Sequence, residues 1–345
     1  MMSSLPHTDQ ATPGRRLELV TKPPPDALRP LTERILTRLP GPRPLWFVLW
    51  TTVPLVYLAL PATFDLTRSD VGGPAPEILV PSVYAYVIAL SLWGTRKMAR
   101  NAAVVGRQLT QLRTGQHAFR KINNVAVPLA LALAASTVGT IAGAMALDSW
   151  VGLLLFPLPF LVNLPLMTAI WTYLAVLIGL DRLGRRKLDL DDAFPADPEL
   201  GLGPVGSLAF TAFLIFVAGF TPVLVISFVN PVFLILDLVL LVPGVVLFFL
   251  SLYRLHRQMS ETRSRHLERA RALYMRAHVP VWESDDLDVW RRDSSLLQGV
   301  SEIERRATSI NTWPFSSSVS ATIFAISVGL SVTLVGRVIT FAVGL

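Results

Sequence analysis

Blocks of about twenty apolar residues, almost free of charge, alternate along this chain with short basic stretches. A helix of about twenty residues crosses the hydrocarbon core of a bilayer, so such blocks are typical of a membrane protein. Hydrophobic residues make up 52% of the chain and charged residues 16%, against about 25% charged residues in soluble domains. The sequence therefore predicts an all-α fold, a polytopic helical bundle with about seven transmembrane helices.

The basic stretches indicate how this bundle is oriented. Lys and Arg near the ends of spans stay in the cytoplasm, and residues 95–124 are strongly basic without any Asp or Glu. Keeping this stretch inside places the N-terminus in the cytoplasm and the C-terminus outside. The predicted spans, in chain order, are residues 45–60, 78–93, 125–147, 150–180, 206–229, 232–253 and 319–344. We therefore expect a multi-pass protein of the plasma (inner) membrane.

The block at residues 150–180 contains Pro157, Pro159 and Pro165 and is longer than an ordinary span. Two crossings here would move the basic residues after Leu180 and after Tyr253 to the outside, against the positive-inside rule. One crossing keeps both groups inside. The sequence therefore favours one kinked helix, with its freed carbonyls satisfied by neighbours, and a re-entrant pair of short helices is the alternative.

A polar linker at residues 181–205 divides the chain into two predicted transmembrane halves. Before it lie a disordered or interfacial cytoplasmic N-terminus, residues 1–44, and the first half, residues 45–180. After it lies the second half, residues 206–345, which includes a cytoplasmic helical insert at residues 254–312.

Two cytoplasmic segments carry apolar residues at helical spacing. One stripe includes Met98, Ala102 and Val105 in the segment 95–124, and the other includes Leu255 and Met259 in the insert. Each stripe directly follows a predicted span, so we expect helical extensions of the second and sixth spans that bury their stripes against each other.

Asp237 and Arg337 are charged residues within otherwise apolar spans. Ionisable side chains in a membrane are costly and mark functional sites by default. Counted from the outer ends of their spans, both lie at a depth of roughly 10 Å, so they can pair. The functional interpretation is a gate, proton or ion site. The structural alternatives are an ion pair, or an arginine that reaches the outer headgroups.

Asn163 lies among the prolines of the fourth span and predicts either an unwound stretch of the transporter type or a kinked packing helix. Gly139 and Gly143 form a Gly-x-x-x-Gly pair with Ala135 one turn earlier, a pattern typical of close helix packing.

Trp46 and the pair Trp313-Pro314 stand at the mouths of the first and last spans, and we predict that they are interfacial anchors. No cysteine is present, so disulfides and thiolate metal sites are excluded. The five histidines lack metal-ligand spacing, and no metal or cofactor is expected.

These features favour a channel or transporter-like bundle with a buried Asp/Arg pair. The alternative is a membrane-embedded signalling or scaffolding protein that acts through its basic cytoplasmic helices. A lipid-active enzyme would need clustered catalytic residues, which the sequence does not show. The net charge is +7, and we expect the basic residues to face anionic lipid at the cytoplasmic side rather than to bind nucleic acid. A second copy of the chain and an acidic protein are the other partners considered.

Overall fold

The computed structural model describes residues 28–52, 75–110, 118–147, 157–188, 190, 197–227, 231–283 and 287–343. These residues are helical or lie in short connections, and no strand occurs among them. The predicted all-α architecture is therefore confirmed for this part of the chain. The helices are α1 (Leu31–Arg38), α2 (43–52), α3 (Ala75–Thr110), α4 (Ala126–Leu147), α5 (Pro157–Gly184), α6 (Gly203–Ser227), α7 (Pro231–Glu283), α8 (Leu287–Ser309) and α9 (Ser317–Val343).

Four of these helices, α5, α6, α7 and α9, are long and apolar enough to cross a membrane, by length and composition. A shorter apolar stretch, Ala126–Val138, lies in α4. The predicted external loop after the first span and most of the predicted disordered N-terminus lie outside the described residues.

Helix α5 passes through its internal proline without a break. Pro165 has no N–H, so the carbonyl of Leu161 one turn earlier loses its helical partner. The indole nitrogen of Trp50 donates to this carbonyl at 2.6 Å. Because a neighbouring helix supplies the missing donor, the described part of the proline-rich block forms one continuous helix.

Helices α5 and α6 lie at the centre of the bundle, since each packs against both α3 and α7, and α4 packs on α5. The three helices α5, α6 and α7 approach closely around Gly244. The hydroxyl of Tyr173 donates to the Gly244 carbonyl at 3.0 Å, and its ring stacks on Phe216 at 4.3 Å. A Cβ at Gly244 would overlap the ring of Phe216, so only glycine permits this approach.

Helices α3 and α7 extend well beyond a single bilayer span. Helix α7 has 53 residues, or roughly 80 Å at 1.5 Å per residue. Its second half packs along α8, which folds back beside it. We call residues 254–283 and 287–309 of this pair the cytoplasmic arm, a name that follows the predicted orientation of the chain.

The apolar stripes are buried, but not against each other as expected. The stripe of α7 is buried from Leu252 to Ala270. Leu252, Leu255 and Met259 belong to one core cluster with residues of α5 and α6, and the helix beyond them packs along α8. The stripe of α3 packs with α5 and α6, where Asn101 also donates to Thr211 Oγ1 at 3.1 Å. Each stripe is therefore covered by a helix that the expectation did not include.

The cytoplasmic arm carries its charge on the outside. Arg305 and Arg306 both bind the carboxylate of Glu302, at 2.8 Å and 2.6 Å. Hydrogen bonds from these two guanidinium groups lower the pKa of Glu302 to about 2. Arg263 donates to the Thr308 carbonyl at the end of α8, which ties the end of this helix to α7.

Candidate functional site

The helices that carry Asp237 and Arg337 run antiparallel in contact with each other. At one end, Phe315, just before α9, stacks near Phe248 of α7 at 6.4 Å between ring centroids. Further along, Leu334 of α9 and Leu241 of α7 share a buried cluster with Leu224. Helices α7 and α9 therefore approach each other at two levels.

The two charged residues lie close to this shared cluster along their helices. Asp237 precedes Leu241 by four residues and Arg337 follows Leu334 by three, so each lies about one turn beyond the shared cluster in the same direction. Arg337 is half-buried and takes part in an interaction. The side chain of Asp237 lies outside the described part, so the pairing of the two stays a prediction.

A cavity of about 280 Å³ lies between α3, α5 and α6, with Leu240 of α7 at its edge. Its walls are mainly apolar, and the aromatic rings of Phe216 and Phe220 separate it from the cluster that α7 shares with α9. The polar side chains on its walls are Tyr84, Ser91, Asn163 and Tyr173. Its size is near the lower end of the range for small-molecule sites, about 300–1,000 Å³.

Asn163 supplies a hydrogen-bond acceptor on the cavity wall with a defined orientation. Ser136 Oγ donates to the Ala132 carbonyl at 2.6 Å, so it can only accept from the Asn163 amide, which donates through Nδ2 at 3.2 Å. This bond turns the Asn163 carbonyl oxygen away from Ser136. Within the described chain that oxygen accepts no hydrogen bond.

The backbone at Asn163 is helical, and α5 is continuous through it. The predicted unwound stretch is therefore not formed, because Trp50 satisfies the carbonyl that Pro165 frees. The alternative prediction, a packing helix that contains proline, describes this segment.

The segment that contains Trp313 and Pro314 lies at a junction where several helices meet. Trp313 is half-buried and stacks on His256 of α7 at 4.3 Å. The nitrogen Nδ1 of His256 lies 2.8 Å from the Thr312 carbonyl, which can only accept, so the ring nitrogen donates. Pro314 is buried, and its carbonyl lies against Gly206, where a Cβ would overlap it. Their role as interfacial anchors stays a prediction.

Gln258 of α7 also lies at this junction. The sequence pattern did not identify this residue. Its amide donates to the carbonyls of Gly184 and Arg186 at 2.7 Å and 2.8 Å and accepts from the Leu188 N–H at 3.2 Å. It thereby joins the end of α5 to α7. Its spacing from Leu255 and Met259 in the stripe places it beside the buried face, but that signal does not identify the partner.

The polar linker forms a compact turn at its end. Asp197 accepts hydrogen bonds from the N–H groups of Glu199 and Gly201, which hold Leu200 in the left-handed region at φ 51°. Burial raises the pKa of the Glu199 carboxyl above its usual range. The Pro198 carbonyl accepts from Asn311 N at 2.9 Å, so the linker is attached to the segment before α9.

The remaining predicted residues lie apart from this junction. Trp46 donates to the Pro40 carbonyl at 2.6 Å, in the turn that precedes α2. Ala135 is half-buried in α4. Gly139 and Gly143 lie in the same helix, but their surroundings are outside the described part, so their packing role stays a prediction.

No protein-family model, curated protein or solved structure matches this chain. Among the described residues, no group of three or more His, Asp and Glu side chains is arranged to hold a metal ion.

Proposed function

We propose that this chain is a polytopic membrane protein with about seven spans, which binds a small, mainly apolar molecule between α3, α5 and α6 in the manner of a transporter. The cavity with its oriented Asn163 acceptor carries the proposal. Because the walls are apolar, the site suits a lipophilic ligand with one hydrogen-bond donor, such as a hydroxyl or an amine, rather than a hydrated ion.

Contacts at the helix ends support the proposed topology. The end of α5 contacts α7 through Gln258 and through the salt bridge from Arg254 to Asp181 at 3.4 Å. The start of α6 contacts the segment before α9 at Gly206. His256 of α7 also binds the Thr312 carbonyl in that segment. The end of α5, the middle of α7 and the starts of α6 and α9 thus lie at one level, as required if α5 and α7 enter the cytoplasm where α6 and α9 leave it. A second crossing in the proline-rich block would place the end of α5 and the basic residues that follow it outside the cell, against the positive-inside rule.

In this proposal Asp237 and Arg337 form an ion pair in the outer half of the bundle. The pair would lie about one turn from Leu241, behind the wall of Phe216 and Phe220 that closes the cavity. An ion pair at this depth costs less than two separate charges. It can also respond to a ligand that displaces the aromatic wall, which gives the pair a gating role.

Ligand occupancy is tested by enlarging a residue on the cavity wall. A Cβ at Gly219 would lie at an ordinary 3.8 Å from Leu90, so Gly219→Leu extends a side chain toward the cavity. Gly329→Leu is the matched control, because nothing lies within 4 Å of a Cβ at that position of α9. We expect native mass spectrometry to detect a bound lipophilic molecule on the wild type and on Gly329→Leu, and none on Gly219→Leu. Equal occupancy of both variants would contradict the proposal.

Transport is tested separately, once that molecule is identified by its mass. Proteoliposomes with the wild-type protein are expected to move it across the bilayer, and Asp237→Asn is expected to slow this movement while leaving occupancy unchanged. Binding without movement would restrict the proposal to a ligand-binding membrane protein.

A scaffolding role is the second candidate, favoured by the unbroken course of α7 from the membrane into the cytoplasmic arm. Leu273 and Met275 are exposed on this arm, at 43% and 61%. A photo-crosslinking residue at Met275 is expected to capture one defined protein in cells if the arm is a docking surface. The same residue at Phe324 of α9 serves as the control, and equal capture at both sites would argue against this role.

A further inference from the structure

A short basic turn precedes α4 and packs tightly against α5. It is a 3₁₀ helix, Arg120–Asn123, in which Ile122 is buried. Phe119, just before it, lies against Gly179 of α5, where a Cβ would overlap its ring. The indole nitrogen of Trp171 donates to the Lys121 carbonyl at 3.2 Å. The turn is therefore held rigidly on α5.

The region around α1 secures the other side of this turn. The backbone N–H of Arg29 donates to the side chain of Asn123 at 2.8 Å, and the Arg34 guanidinium donates to the Asn123 carbonyl at 3.0 Å. Asn124 caps α4, because its Oδ1 accepts from the N–H of Ala126 at 3.0 Å. The backbone at 120–124 is thus fixed by bonds on both sides.

Three cations converge on an open pocket of about 590 Å³ beside this turn. Arg120 and Lys121 come from the turn, Arg182 comes from the last turn of α5, and the amides of Asn123 and Asn124 complete the lining. Within the described chain none of the three cations forms a salt bridge. Asp181, the nearest acid in sequence to Arg182, binds Arg185 at 2.8 Å and Arg254 at 3.4 Å instead.

This pocket therefore concentrates positive charge that no acidic side chain in the described part of the protein neutralises. The amino end of α4 adds the positive end of its helix dipole. Arg120 and Arg182 are exposed, and Lys121 is half-buried, so a ligand can reach all three. Arginine and lysine side chains around an open pocket match the geometry and charge of a phosphate group.

We propose that this pocket binds the phosphodiester headgroup of an anionic membrane phospholipid. The inference rests on the topology given under the proposed function, which puts the start of α4 and the end of α5 at the cytoplasmic interface. The cations then lie at the level of the headgroups, where basic pockets between spanning helices recognise anionic lipid. The cavity between α3, α5 and α6 plays no part in this second site.

The test uses the full-length protein in nanodiscs of phosphatidylcholine, titrated with a fluorescent phosphatidylglycerol. The variant removes all three charges: Arg120→Gln, Lys121→Gln and Arg182→Gln. We expect its affinity to fall about a hundredfold, since each cation near an anionic surface contributes about fivefold. The control removes three exposed charges from the cytoplasmic arm, with Arg269→Gln, Arg271→Gln and Arg276→Gln, and is expected to retain the wild-type affinity within about twofold.

The possible outcomes separate this site from diffuse attraction and from a site for free phosphate. Equal losses in both triple variants, or no loss in either, would overturn the proposal. Glycerol phosphate is added as a competitor at millimolar concentration. Displacement of the lipid at that level would assign the pocket to soluble phosphate compounds, and this also overturns the proposal.

A reporter fused after Lys187 distinguishes this failure from failure of the topology. If the reporter is cytoplasmic and the lipid still does not bind selectively, only the headgroup site is wrong. An external reporter would remove the basis for both inferences.

Discussion

Helices α5 and α9 are both long apolar helices that could cross a membrane, but the protein packs them very differently. In α5, 50% of the most apolar stretch is buried inside the protein, and in α9 only 11% is. Helix α5 contacts α3, α4, α6 and α7, whereas α9 packs mainly on α7. Apolar composition thus indicates that a helix can enter the membrane, but contacts with other helices determine whether its side chains face protein or lipid.

The largest expected effect compares one phenylalanine from each environment. Phe213 of α6 is fully buried beside Phe248, with 4.8 Å between ring centroids, and Phe324 of α9 is 70% exposed. Phe213→Ala is expected to reduce the free energy of unfolding by about 3–5 kcal/mol, because removal of the ring leaves an empty space in the core and its neighbours lose their packing contacts. Phe324→Ala is expected to change it by less than about 0.5 kcal/mol. Denaturant unfolding in the same detergent measures both. Equal losses would mean that the outer face of α9 is also buried, for example against a second copy of the chain.

The second test concerns Arg337, the charged residue of α9. Arg337→Leu is expected to cost about 3 kcal/mol if it leaves Asp237 unpaired in the membrane. Asp237→Leu in the same chain should then recover most of this loss. A double-mutant cycle by denaturant unfolding measures the coupling between the two. Single losses that simply add would show that Asp237 and Arg337 act separately, and Arg276→Leu on the exposed arm is the control for loss of one charge.

Substitutions of two glycines, one in α7 and one in α9, are expected to change stability by an intermediate amount. Gly244→Ala is expected to destabilise the protein by about 1–3 kcal/mol, because its Cβ would overlap the ring of Phe216. Gly329→Ala in α9 has open space around its Cβ and is expected to be neutral or stabilising by up to about 1 kcal/mol. Thermal unfolding of the two variants in detergent checks the signs. Destabilisation by Gly329→Ala would contradict a peripheral position for α9.

The smallest effect concerns how α5 tolerates its proline. Trp50→Phe removes the donor to the Leu161 carbonyl and is expected to cost about 1 kcal/mol. In a chain with Pro165→Ala, residue 165 supplies its own N–H to that carbonyl, so the cost of Trp50→Phe should largely disappear. Unfolding of the single and double variants measures this. An unchanged cost would mean that the tryptophan acts by packing alone.

Much of the architecture could be predicted from periodicity and charge. The spacing of apolar residues predicted the helical extensions beyond the second and sixth spans, and α7 is a continuous helix there. The first extension is confirmed only to Thr110, because residues 118–124 of the predicted segment form a turn and a 3₁₀ helix. Within the predicted helical insert at residues 254–312, the described residues form the second half of α7 and α8, Leu287–Ser309. These features are local, because a helical stripe is visible in the sequence whatever covers it.

The helices and side chains that these elements pack against could not be predicted, because such contacts join distant parts of the chain. The stripe of α7 gives no indication that α8 covers it. The proline at 165 indicated a helix with a free carbonyl, but the donor, Trp50, lies 111 residues away. Similarly, Asn163 was recognised as polar, but its orientation depends on Ser136 of another helix.

In the proposed topology α5 crosses the membrane once, and its carboxyl end is cytoplasmic. The chain contains no cysteine, so single cysteines can report this directly through labelling by a membrane-impermeant maleimide in intact cells. The account predicts that Lys187→Cys is labelled only after the cells are permeabilised, whereas Asn230→Cys, at the predicted external turn between α6 and α7, is labelled in intact cells. Labelling of Lys187→Cys in intact cells would contradict the account.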